Sequence, residues 1–223
     1  MQRTLTYYGD NYANLPLEMR GLFETINITR TYLKGELIYS QGDLADYFYY
    51  LKKGQVKIFL TSTDGLEKTI AIIGSGSILG EASFFDGEPR ISSAKVLQNS
   101  EIITINKQTL MDKIRLEPSF AVSMLKLQAQ SIRLLSSQLT SVTFLQADCR
   151  IARLLTQAKL TSTNPKDSYV HLTHEEIGNI VGVSRVTVSK ILNSFAKEGY
   201  LETSYGNIKI LDIKKLEDIA NFD

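Results

Sequence analysis

The 223-residue chain has one cysteine, Cys149, two histidines, His171 and His174, and no tryptophan. A lone cysteine excludes an internal disulfide framework and a four-cysteine zinc or iron–sulfur site within one chain, so no iron–sulfur cluster is expected. The two histidines have no cysteine or third histidine close in sequence, which makes a poor zinc set. They read instead as a strand-end and a helix-start surface residue. The histidine cluster of a cupin-type enzyme is missing as well. No Ser/His/Asp arrangement, P-loop or G-x-G-x-x-G stretch is present, and no enzyme activity is expected. No apolar run is long enough to span a bilayer. The opening MQRTLTYYGD lacks the apolar core of a secretory signal, so the expected compartment is the cytoplasm, away from the membrane. Excess charge is missing too: 25 Lys and Arg face 24 Asp and Glu, net +1. That balance hides an asymmetry. Residues 149–215 hold ten Lys and Arg against six Asp and Glu, net +4, which gives mild support for phosphate contact.

What the chain does contain is concentrated in HLTHEEIGNIVGVSRVTVSKILNSFAKEGYLE, residues 171–202. Thr173 and Glu176 have the spacing of a capping box. Ile177, Ile180 and Val181 form the buried face of a first short helix. Gly182 falls where that helix must turn, and Ser184 is placed to cap a second helix that buries Val188, Ile191, Leu192 and Phe195. The outward face of the second helix carries Arg185, Val186, Thr187, Ser189 and Lys190, a short surface of hydrogen-bonding groups with two cations. Such a face fits the major groove of DNA, although the same pattern also occurs in ordinary packed α domains. Two details favour DNA. Polar residues crowd the first turn of the second helix. After Gly199, a hairpin with its turn at Tyr205-Gly206-Asn207 stands where a wing would flank a reading helix.

The rest of the chain changes texture twice. Residues 14–26 read as a short helix with Pro16 in its first turn. From about 27 to 107, β-branched and aromatic runs alternate with glycine turns, and eight of the 14 glycines lie between Gly35 and Gly87. This pattern predicts an antiparallel roll or sandwich. Asp64-Gly65 signals a two-residue hairpin, and Phe48, Tyr50, Val56, Ile58 and Leu60 are expected on one core-facing side of their strand. Residues 119–146 contain no glycine or proline and carry two apolar stripes. Phe120, Met124, Leu127, Ser131 and Leu134 are assigned to the chain's own roll. Leu125, Gln128, Ile132, Leu135, Leu139, Val142 and Gln146 follow a coiled-coil seam and are assigned to the same helix of a second subunit, a central helix buried within one chain being the alternative. A further helix is expected over 149–161 and a loop over 161–167.

In this order of parts the sequence resembles the CRP/FNR family of bacterial transcription regulators, from roughly residue 15 onward. In the roll the resemblance rests on Gly35, Ile38, Gln41-Gly42-Asp43, Tyr50, Gly54-Gln55-Val56-Lys57, Gly80-Glu81 and Pro89-Arg90. In the C-terminal part it rests on Arg150-Ile151-Ala152, on Glu176-Ile177-Gly178, on Val181 to Arg185 and on Thr187 to Leu192. It implies an α+β fold: an N-terminal antiparallel β-roll like that of cyclic-nucleotide-binding domains over 1–118, a dimerisation helix over 119–148 and a winged helix–turn–helix over 149–223. It further implies a homodimer that binds a two-fold double-stranded operator and contacts RNA polymerase, as an activator does, when a small-molecule effector is bound.

The segment ILGEASFFDGEPRISSAKV, residues 78–96, resembles the phosphate-binding cassette of cyclic-nucleotide domains. Gly80 and Glu81 open a turn whose backbone N–H groups suit an anion. Glu81 offers a carboxylate to a ribose hydroxyl, and Arg90 a planar fork to phosphate oxygens. Two plainer arrangements stand beside this one: Glu81 and Arg90 paired with each other, or Arg90 solvated at the surface. Ile91 and Ser92 depart from the cyclic-AMP pattern, which has a small hydroxyl residue and then alanine after the arginine. Leu135 and Ser136 occupy the helix positions that would reach a purine, and Leu135 lacks the hydroxyl found in the cyclic-AMP receptor. The effector expected is a cyclic nucleotide such as cyclic AMP, or another small anion.

For DNA, Arg185 and Lys190 are the expected base contacts, with guanine the natural target of Arg185. Thr187 and Ser189 add hydrogen bonds to phosphate or base, and Thr173 a hydroxyl or backbone N–H for phosphate. At Val186 many relatives carry glutamate, which accepts from cytosine. Valine touches a thymine methyl instead, so a different base pair is expected there. Competing readings are a cyclic-nucleotide module acting on a protein partner, and a regulator that is effector-independent or redox-controlled through Cys149.

Overall fold

The structure, a computed structural model, describes residues 20, 21, 23, 29–160 and 169–221. Of the helix expected over 14–26, only Arg20, Gly21 and Phe23 lie within the described residues, and they are helical. The loop expected over 161–167 lies outside them. The described chain divides into two compact units, one ending at Leu135 and the other beginning at Ser136.

The first unit is an antiparallel roll. Its strands are β1 (Thr29–Tyr32), β2 (Leu37–Tyr39), β3 (Phe48–Thr61), β4 (Glu67–Gly74), β5 (Ser77–Leu79) and β6 (Ser93–Ile105). They pair in the order β1-β6-β3-β4, with β2 also on β6 and β5 on β3. The short helix α1 (Glu81–Asp86) lies between β5 and β6. Helix α2 (Lys107–Leu116) follows β6, and the Asn106 side chain caps it by accepting from the Thr109 N–H at 2.8 Å.

Strand β3 does not keep one face inward as its alternation suggests. Its pairing with β6 shifts register three times between Leu51 and Val56, with Gly54 at φ 109° inside the irregularity. Each extra residue in a strand inverts the pleat beyond it. Phe48 and Tyr50 therefore pack with Phe23, Phe120, Met124 and Leu127 under the helices, whereas Val56 joins Tyr49, Leu51 and Ile102 inside the roll. Leu60 is exposed. The β3–β4 connection also differs from a two-residue hairpin. Ser62 N–H bonds the Leu66 carbonyl and Gly65 N–H the Ser62 carbonyl, which leaves Thr63, Asp64 and Gly65 as a three-residue loop. Gly65, at φ 80°, occupies the left-handed position that closes such loops.

Helix α3 (Ser119–Phe144) is one uninterrupted element that carries residues of both units. Phe120, Met124 and Leu127 are buried in the roll's helix-side core, as the second stripe predicts. Burying each large side chain contributes about 1.5–3 kcal/mol. The helix stops at Phe144 and α4 (Ala147–Leu160) begins three residues on, so a short break falls inside the span 119–148.

The second unit contains α4, β7 (Tyr169–Val170), α5 (His174–Val181), α6 (Arg185–Lys197), β8 (Leu201–Ser204), β9 (Asn207–Ile210) and α7 (Ile213–Ala220). The strands form a small sheet in the order β7-β9-β8. Ile151, Leu155, Ile177, Val188, Leu192 and Leu216 are fully buried at its centre. Arg150 reaches from α4 to the Val181 carbonyl at 2.7 Å and so satisfies an end of α5. Gly182, at φ 76°, closes α5. The turn is tight enough that a Cβ on Gly178 would stand 2.6 Å from the Val183 carbonyl oxygen. Gly178→Ala is therefore expected to destabilise this unit by about 1–3 kcal/mol, because backbone must shift to admit the methyl group. Calorimetric unfolding of the full chain measures it.

Candidate effector cavity and nucleic-acid interface

The cassette closes one end of a cavity in the first unit. Its apolar walls include Ile58 on β3, Ile70 and Ile73 on β4, and Ile132 and Leu135 on α3. Tyr39, Glu81, Arg90, Ser92, Gln128 and Ser131 supply polar groups, and the space enclosed is about 160 Å³.

Arg90 is 3% exposed. Its two terminal nitrogens donate to the carbonyls of Gly80 and Tyr47. The guanidinium lies 4.5 Å from the centroid of the Tyr39 ring and 5.6 Å from that of Tyr49. These two rings stack on each other at 5.7 Å. Among the described residues no carboxylate pairs with it, and its Nε has no hydrogen-bond partner. Carbonyls and ring faces satisfy most of its hydrogens without cancelling its charge. Neither plainer arrangement is present: Arg90 is not solvated, and it does not pair with Glu81. Gly80 is required here, because at φ 74° a Cβ would come within 2.7 Å of the Arg90 Nη1.

Glu81 is also buried. Its Oε1 accepts from Gln128 Nε2 at 3.3 Å. Burial pushes its carboxyl above the usual carboxylate range, against the pull of its own backbone N–H, of Gln128 and of Arg90. Burial and the nearby Glu81 push the Tyr39 phenol up as well, against Arg90 and a hydrogen bond with Ser92. Gly80, Glu81, Arg90, Ile91, Ser92 and Leu135 all line the cavity, with Ile91 largely exposed at its edge. Ser136 is exposed and is not among the lining residues. Sequence reasoning missed Tyr39, Tyr49 and Gln128. Gln128 was placed in the subunit seam, but its amide turns to Glu81, since an amide on an apolar stripe needs a partner.

In the second unit, Thr173 caps α5 through a complete capping box. Both of its donors go to the Glu176 carboxylate: the backbone N–H at 2.7 Å and the hydroxyl at 2.8 Å. In the structure the capping box therefore holds both of the groups expected to face phosphate. Ser184 Oγ accepts from the Thr187 N–H at 3.1 Å and bonds the Thr187 hydroxyl at 2.9 Å. Ser189 Oγ donates to the Arg185 carbonyl at 3.0 Å and bonds His174 Nδ1 at 2.8 Å. Arg185, Val186 and Lys190 are exposed on one side of α6, and no acid among the described residues pairs with either cation. A concave surface runs between Thr173, His174 and Glu175, Arg185, and the hairpin tip Thr203–Gly206. His171 instead bonds Asn207 on β9 at 2.5 Å. Among the described residues no group of three His, Cys, Asp or Glu is placed to hold a metal ion, and no helix is long and apolar enough to cross a membrane.

Residues 29–116 match the cyclic nucleotide-binding domain, and residues 149–219 the Crp-like helix-turn-helix domain. The chain is 30% identical over 191 residues to the cyclic AMP receptor protein of Thermus thermophilus, covering 86% of this chain and 87% of that one. It is 31% identical over 177 residues to the cAMP-activated global transcriptional regulator CRP of Pasteurella multocida, covering 78% and 84%. The chain belongs to the CRP/FNR family of transcription regulators. Among solved structures, this CRP/FNR regulator resembles the c-di-GMP responsive global regulator CLP of Xanthomonas campestris in fold, with TM-score 0.77, 20% identity and coverage of 86% and 97%. The Thermus thermophilus catabolite activator protein matches with TM-score 0.52 at 29% identity over 95% and 98%.

One consequence of the cavity concerns stability. With its acidity lowered by burial, Glu81 costs the CRP/FNR roll nothing below the usual carboxylate range and progressively more as pH rises from there toward its raised native value. Glu81→Gln is therefore expected to raise the melting temperature of the ligand-free protein at pH 7.5 by roughly 2–4 °C. The gain should vanish near pH 4, and calorimetry at the two pH values measures it.

Proposed function

We propose that this regulator works as a homodimer whose DNA affinity is set by a small anionic effector of the cyclic-nucleotide class, bound in the cavity of each roll. The observation that carries the reading is the buried Arg90 cation with no ion-pair partner among the described residues, lining the same cavity as Glu81. An unpaired buried charge is costly and calls for a ligand of opposite sign. A phosphate supplies it, and a sugar hydroxyl suits Glu81. The names of the two relatives, a cyclic AMP receptor and a cAMP-activated regulator, point to the same class. The enclosed space is smaller than pockets that bury whole drug-sized ligands, so α3 and the cassette are expected to separate as a nucleotide enters. Gly80, Glu81, Arg90, Ile91, Ser92 and Leu135 are assigned to the effector, with Ser136 reached only after such a movement.

Dimerisation is assigned to α3 within the span 119–148. Leu125 and Leu139 are 70% and 69% exposed, and Ile132, Leu135 and Val142 are exposed on the same stripe. A second copy of the helix would cover them in coiled-coil fashion. Residues 1–118 then sense and 149–223 bind a two-fold operator, with reading helices roughly 34 Å apart. Arg185 and Lys190 contact bases. Ser184 and Thr187 bond each other, and Ser189 donates within the protein. The oxygens of Thr187 and Ser189 are therefore better suited to accept from base amino groups than to bind phosphate. Val186 meets a thymine methyl. The effector shifts the population toward the spacing that fits DNA, and the bound dimer contacts RNA polymerase in the cytoplasm. The protein acts by binding rather than by catalysis.

Gel shifts with selected operator DNA test the reading. Cyclic AMP is expected to strengthen binding, with a steep inverse dependence on salt. Arg185→Ala is expected to cost about 1–3 kcal/mol and to relax selection at one base pair. Equal binding of unrelated DNA by both proteins would contradict it.

A further inference from the structure

Gln128 stands out on α3 because its neighbours on the same stripe are apolar and it is not. Its amide is half-buried and donates to Glu81 Oε1 at 3.3 Å. It lines the effector cavity on one side. On the other it lines a second, more open apolar hollow formed with Ala82, Phe85, Met124 and Leu125. It lies between the two regions that match known domains, 29–116 and 149–219. Among the described residues no other side chain donates to Glu81: Arg90 is turned to two backbone carbonyls, and Tyr39 bonds Ser92.

We propose that Gln128 is a positioning residue for the effector's hydroxyl, holding the Glu81 carboxylate from α3 so that roll and long helix recognise that hydroxyl together. This rests on the cyclic-nucleotide reading above. A carboxylate has two oxygens. Gln128 occupies Oε1, which leaves Oε2 to accept from the ligand. Without the amide, Glu81 keeps only its own backbone N–H and the charge of Arg90 against the effect of burial. A buried carboxyl in that setting takes up a proton, and its new O–H offers a donor where the ligand needs an acceptor. The titratable groups facing Glu81 are Arg90, from the segment before β6, and Tyr39 on β2. Helix α3 adds no charged group, only Gln128, Ser131, Ile132 and Leu135, and β3 and β4 add Ile58, Ile70 and Ile73.

The test is calorimetric titration of full-length wild type and Gln128→Leu with cyclic AMP and with its 2′-deoxy analogue, between pH 5.5 and 8. At pH 7 the variant is expected to bind cyclic AMP about tenfold more weakly, the worth of one hydrogen bond to a charged group. Its affinity for the deoxy analogue should match wild type. The acid limb of its cyclic AMP profile should move to higher pH. Gln128→Met, which keeps the chain length and removes the donor, must give the same split, and it serves if the leucine variant folds poorly. Equal losses for both nucleotides, or an unmoved pH profile, would overturn the assignment while leaving cyclic-nucleotide binding in place. Cyclic AMP binding by neither wild type nor variant would overturn both.

Discussion

The burial of Arg90 without a counter-charge is the constraint on which the sensing half of this protein depends. A guanidinium removed from water is held there only if its hydrogens are satisfied and its charge is offset. The carbonyls of Gly80 and Tyr47 and the faces of Tyr39 and Tyr49 do most of the first, leaving Nε without a partner. Among the described residues no ion pair does the second, and only the longer-range attraction of Glu81 bears on it. Several neighbouring features follow from this. Gly80 is glycine because the guanidinium packs against its Cα. Tyr39 and Tyr49 stack because the cation lies across both rings. Glu81, the nearest acid in the cavity, is turned away to Gln128. The guanidinium is thus left with an unbonded Nε and no ion-pair partner, a condition that an anionic ligand relieves.

The DNA-binding unit relies on local order of a different kind. Two helix caps, at Thr173 and Ser184, and one tight glycine turn place α6 with its cations outward. The hydroxyls nearest the expected DNA face are bonded within the protein: Thr173 to Glu176, Ser184 to Thr187, and Ser189 to the Arg185 backbone. Such bonds fix the first turn of α6 in advance of binding, which lowers the ordering cost of recognition. Arg185 and Lys190 are exposed with no acid paired to either among the described residues, so the face combines a capped helix start with two outward cations.

The parts legible in the sequence are those set by near neighbours along the chain. Thr173 with Glu176, Gly182 and Ser184 announced the helix–turn–helix, and the buried stripe Phe120, Met124, Leu127 announced which side of α3 meets the roll. Gly80, Glu81 and Arg90 were legible because a single short connection carries them. What was not legible depends on pairing between distant segments. The inverted phase of β3 comes from its register against β6. The Tyr39 and Tyr49 rings meet Arg90 only after β2, β3 and the cassette have closed. Gln128 read as a seam residue because spacing along a helix says which residues share a face and not what lies opposite. The capping box was legible from Thr173 and Glu176, but spacing along the chain does not say that both Thr173 donors turn to one carboxylate oxygen.

The melting temperature of Arg90→Met compared with wild type, with and without saturating cyclic AMP, tests the central claim most directly. If Arg90 is a buried cation kept for an anion, the empty variant melts no lower than wild type, and cyclic AMP raises the melting point of wild type alone. A variant much less stable when empty, yet still raised by cyclic AMP as far as wild type, would contradict the account.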